Sequence, residues 1–66
     1  MNTLDYYKNV FKSFAADGMS DSYAKLEVIG RIIQDADASQ FDEAVELIDR
    51  FKTIRYCDEH NEVEEK

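Results

Sequence analysis

The segment from residue 35 to residue 46, DADASQFDEAVE, sets oxygen-bearing side chains close to the spacing of the loop that wraps calcium in an EF-hand. Counted from Asp35, the side-chain ligands are Asp35, Asp37 and Ser39, the backbone carbonyl falls on Phe41, and Glu43 and Glu46 take the last two ligand positions. Two residues depart from that pattern. Gln40 stands where the sharp turn normally needs glycine, and Asp42 stands where the loop is normally apolar. The same residues serve more simply as a helix start. Ser39 would be the N-cap, Asp42 and Glu43 would sit in a first turn whose dipole favours negative charge, and Phe41 would open a core-facing arc. The helix start is the expected arrangement, with no metal or other cofactor. A calcium-binding helix-loop-helix module on Asp35, Asp37, Ser39, Glu43 and Glu46 is the alternative.

A second cluster lies near the C-terminus. Cys57, His60 and Glu64 share one face if the chain is helical there, which would supply part of a zinc site. No second pair of ligands completes it, so a solvated cysteine and histidine are expected. Catalysis finds no constellation to work with. There is no glycine-rich phosphate loop and no nucleophile with a second histidine, and the acids fall on the solvent sides of their helices. A non-enzyme is expected.

The elements that carry these residues must be few, because 66 residues make one small domain of modest stability. Cys57 is the only cysteine, so no internal disulfide can reinforce it, and a lone thiol suits a reducing cytoplasm. Every apolar stretch is broken by charge within a few residues, so neither a signal peptide nor a membrane span is expected. Charge is unevenly divided. Residues 1–34 hold four acids against four bases, while residues 35–66 hold eleven acids against four bases and carry the whole net charge of −7. Such a surface repels phosphate backbones and attracts basic proteins, or it serves solubility alone.

Proline is absent and apolar residues recur at helical spacing, so the expected fold is all-α, a small bundle of three helices. The first, about 4–16, gathers Leu4, Tyr7, Val10, Phe11, Phe14 and Ala15 on one side and stops at Asp17-Gly18. The second, about 21–36, is capped by Ser20 or Asp21, with Met19 packing over its first turn. Its arc centres on Tyr23, Leu26, Ile29 and Ile33, with Val28 and Ile32 to one side. Gly30 lies within that arc. It is either a place where another helix comes close or a tolerated weak point worth about 1 kcal/mol against alanine. The third helix, about 40–57, runs through Phe41, Ala44, Val45, Leu47, Ile48, Phe51 and Ile54. These helices define a single domain over residues 1–57, followed by an acidic extension over 58–66, polar and either partly helical or frayed.

Three helices need fewer apolar residues than these. Val28, Ile32, Leu47 and Ile54, with Tyr6 outside the arc of the first helix, are left over as an exposed strip, which points to a homodimer; the alternative is that the helices are splayed and the strip is internal. Asp42, Glu46 and Asp49 line the opposite side of the third helix and form the surface expected to face a partner. The function that follows is a small acidic interaction module that binds and modulates a larger, basic protein, in the manner of phage or mobile-element accessory proteins and inhibitors. A structural subunit of a larger helical assembly is a further alternative. Direct contact with nucleic acid or membrane is not expected.

Overall fold

The first element of the computed structural model, which describes residues 1–65, is helix α1, Leu4–Ala16. The Thr3 hydroxyl caps it, accepting from the Tyr6 N–H at 3.3 Å. Gly18 ends the run in the left-handed region at φ +100°, which glycine adopts without steric cost. Helix α2, Asp21–Asp35, begins at Ser20, whose Oγ accepts from the Tyr23 N–H at 3.3 Å. A single 3-10 turn at Ala38–Gln40 leads into α3, Phe41–Phe51. The fold is a compact all-helical bundle of three helices with a short C-terminal β-hairpin as its tail.

The third helix is shorter than its spacing suggested and the tail is not helical. Residues Ile54–Cys57 form strand β1, which pairs antiparallel with β2, Glu62–Glu65. Ile54 continues the apolar spacing of α3, so periodicity alone carries the helix past its end. Thr53 and Ile54 are β-branched, however, and a strand alternates its side chains where a helix would not. Ile54 is buried and Tyr56 and Val63, directly paired, pack against the core, while Arg55 faces Glu64 on the outside. Asn61 takes φ +50° to close the turn. This pairing joins residues on both sides of the 57/58 position, and Lys66, the last residue of the expected extension, lies outside the described residues.

The core consists of Tyr7, Phe11, Ala24, Val28, Ile32, Ala44, Phe51 and Ile54. The three rings come from α1 and α3, with Phe11 and Phe51 edge-to-face at 6.2 Å between centroids. What α2 presents to them is the aliphatic stripe Ala24, Val28 and Ile32. Spaced at i, i+4 and i+8, these three lie on one face of α2 and meet the rings of the other two helices. The orientation of α2 is therefore rotated from the expected one: Tyr23, Leu26 and Ile33 face outward and Val28 and Ile32 are fully buried.

Two polar ties hold the hairpin and the helix ends. Glu65 on β2 accepts from Arg50 Nε at 2.7 Å and from Lys8 Nζ at 3.1 Å, joining the hairpin to α3 and α1. The hydrogen bond from Arg50, and then that from Lys8, lowers the Glu65 carboxyl from 4.5 to about 2. Inside, the Tyr7 hydroxyl donates to Asp35 Oδ2 at 2.8 Å and accepts from the Asn2 N–H at 3.3 Å. Burial pushes the Tyr7 phenol above its ordinary value of 10.0, and the carboxylate of Asp35 adds to that.

Candidate functional site

Of the residues expected to form an exposed apolar strip, Val28, Ile32 and Ile54 are wholly buried and Leu47 is half-buried against the core. They are core. Tyr6 is exposed, edge-to-face with Tyr7 at 5.2 Å. The apolar side chains left in water are others: Leu26 at 68 % exposure, Ile33 at 62 %, Phe41 at 67 %, with Tyr23 and Val45 at half or more. Phe41, expected to open the core-facing arc of α3, points to solvent because the preceding 3-10 turn brings the helix in with Ala44, not Phe41, against α2.

Ile33, Phe41 and Val45 converge on one feature. Between the end of α2, the 3-10 turn and α3 runs a groove of about 250 Å³, lined by Ile33, Phe41, Ala44, Val45 and Ile48 and by the connecting residues Ala36, Asp37 and Ala38. Its walls are almost entirely apolar, and they belong to α2, α3 and the segment that joins them. Counting 100° per residue from Phe41, Val45 lies at the groove edge of α3 and Asp49, Asp42 and Glu46 follow it round the helix. All three carboxylates are exposed. Asp49 pairs with Lys52 at 3.1 Å, a contact open to water on both sides, and among the described residues Asp42 and Glu46 have no ion-pair partner. The acidic row anticipated from sequence therefore stands beside an apolar groove that was not.

The residues of the calcium-like spacing are not brought together. Asp35 closes α2 and accepts from Tyr7, Asp37 precedes the 3-10 turn, and Glu43 and Glu46 already lie on α3. Their ligand oxygens are spread along two helices and a turn. Ser39 does not cap α3 either: it sits inside the 3-10 turn, and the local hydrogen bonds run between Asp37 and Gln40. The Asp37 N–H donates to Gln40 Oε1 at 3.1 Å, and the Gln40 N–H donates to the Asp37 carbonyl at 2.8 Å. Cys57, His60 and Glu64 share no helical face, since Cys57 pairs with Glu62, Glu64 with Arg55, and His60 is in the turn. Among the described residues, no three histidine, cysteine or acidic side chains are grouped to hold a metal ion.

No helix is long and apolar enough to cross a membrane among the described residues. Set against known protein families, curated proteins and solved structures, the chain matches none of them.

Proposed function

We propose that this chain is a protein-interaction module that docks on a larger protein through the groove between α2 and α3. The observation that carries this is Phe41, a large side chain left two-thirds in water while lining an apolar groove, beside Asp42 and Glu46, which have no ion-pair partner among the described residues. An apolar cleft with an acidic border fits a partner segment that offers one bulky apolar anchor flanked by lysine or arginine. The anchor would supply affinity through burial, and the charges would supply encounter rate and orientation. Binding of this kind would modulate the larger protein by covering its basic surface, as accessory proteins of phages and mobile elements do.

The same reading makes the chain a binding protein and not an enzyme. Its described Asp, Glu, His and Cys side chains all reach the surface, whereas general acid-base chemistry works best with groups held out of water. It also places the chain in the cytoplasm, where Cys57 stays reduced. Selection of displayed random peptides on the immobilised chain tests the proposal. Basic sequences with a bulky apolar anchor should be enriched, and the enrichment should vanish on Phe41→Asp. Enrichment that survives Phe41→Asp, or that favours acidic peptides, would overturn it.

A further inference from the structure

Gly30 has no reason within its own chain to be glycine. It lies in the middle of α2 with an ordinary helical backbone, and a Cβ built there meets nothing within 4 Å. Alanine would fit and would favour the helix. The close approach of a neighbouring helix that glycine permits is therefore not made by α1 or α3.

The residues around it form a seam. Tyr23, Leu26, Gly30 and Ile33 follow one another at intervals of three, four and three, the spacing by which one helix meets another lengthwise. They occupy the side of α2 opposite Ala24, Val28 and Ile32, and their side chains are exposed. No charge interrupts the seam. Ser22 and Ile29 border it on one side, Glu27 and Gln34 on the other, and Arg31 stands one turn beyond Glu27. A broad open depression of about 800 Å³ lies over Gly30, lined by Tyr6, Tyr23 and Leu26 together with polar side chains that include Glu27, Arg31 and Asp35.

We propose that a second copy of this chain packs on this seam, with the two α2 helices antiparallel. Twofold pairing sets Leu26 of each copy over Gly30 of the other and Tyr23 against Ile33. The glycine then has its function: it receives the knob of the facing leucine. Charge permits this occupant: no charged side chain lies in the seam itself, and Arg31, on its flank, stacks over the Phe14 ring of its own chain at 5.5 Å. Residues 1–34 carry no net charge, so self-approach along α2 meets no overall repulsion. Pairing through the groove would instead crowd Asp42, Glu46 and Asp49 against their own copies. The groove and the seam share Ile33 but face different partners.

Sedimentation at concentrations from about 1 to about 200 micromolar tests this on the whole chain. Wild type should approach twice 7.7 kDa, with a melting temperature that rises with concentration. Gly30→Ala has opposite consequences in the two states. At the dilute end it should melt higher than wild type, because a better helix former stands in open space. Its dimer should dissociate at least about tenfold more readily, because the added Cβ holds the helices apart. A single-chain mass at every concentration would overturn the proposal. So would a Gly30→Ala dimer as tight as wild type. Phe41→Asp should leave the dimer intact; if it abolishes pairing while Gly30→Ala does not, the copies meet through the groove and the seam is refuted.

Discussion

Adjacent isoleucines on α2 should respond in opposite ways to the same substitution. Ile32 is wholly buried among Tyr7, Phe11, Val28, Phe51 and Ile54, whereas Ile33 is mostly in water. Ile32→Ala removes buried carbon from a packed interior and leaves a cavity, at a cost of about 2–5 kcal/mol. A domain of this size has about 3–10 kcal/mol of stability in total, so that single change consumes a large share of it. In a monomer, Ile33→Ala removes little buried surface and substitutes a better helix former, so its effect should stay within about 0.5 kcal/mol. Thermal unfolding followed by circular dichroism separates them, run at low concentration where the midpoint no longer depends on it. A melting temperature at least about 8 °C lower is expected for Ile32→Ala, with little change for Ile33→Ala. If Ile33→Ala is the more damaging under those conditions, α2 faces the other way. The core, the groove and the seam would then all be wrongly assigned.

The helix starts give a second test. Ser20→Ala removes the cap of α2 and should cost about 0.5–2 kcal/mol, while Ser39→Ala, which removes no cap, should be near neutral; equal losses in thermal melts would contradict the 3-10 turn. The hairpin gives a third. The folded-state pKa of Glu65 is depressed, so its contribution to stability is complete above 4.5 and is lost as pH falls from there through about 2. Wild type should exceed Glu65→Gln in stability at neutral pH and converge with it near the lower end of that window. A difference unchanged across the window would mean that Lys8 and Arg50 do not hold the carboxylate in solution.

Much of α1 was legible because its pattern has one solution: Tyr7, Phe11 and Ala15 are buried and Leu4, Val10 and Phe14 flank them, as their spacing requires. Ser20 and Gly18 were legible for the same reason, since each meets a local backbone demand. The rotation of α2 was not, because it is decided across helices. Its more apolar side, Tyr23, Leu26, Ile29 and Ile33, attracts any reading of periodicity. The three rings supplied by α1 and α3 pack against Ala24, Val28 and Ile32, and alanine carries no signal in a count of large apolar residues. The hairpin was hidden twice over. Ile54 mimics another helical turn, and the glutamates of β2 have little strand propensity of their own. Its ties to the bundle are tertiary: Glu65 to Lys8 and Arg50, and the Tyr56 N–H to Asp21 Oδ2 at 3.4 Å. The acidic row on α3 could be read directly, but the groove beside it depends on where the 3-10 turn places Phe41.

Binding kinetics of a peptide selected on the chain test the central claim most directly, because the groove and its acidic border should act on different rates. Phe41→Asp, which removes the apolar rim, should speed dissociation. The triple variant Asp42→Asn, Glu46→Gln, Asp49→Asn should slow association at low salt, and that deficit should shrink as ionic strength rises toward 1 M, where screening acts within about 3 Å. Both variants should keep the wild-type circular dichroism spectrum, since none of the four residues is buried. Unchanged dissociation for Phe41→Asp together with unchanged association for the triple variant would contradict the account and move the binding surface off the face shared by α2 and α3.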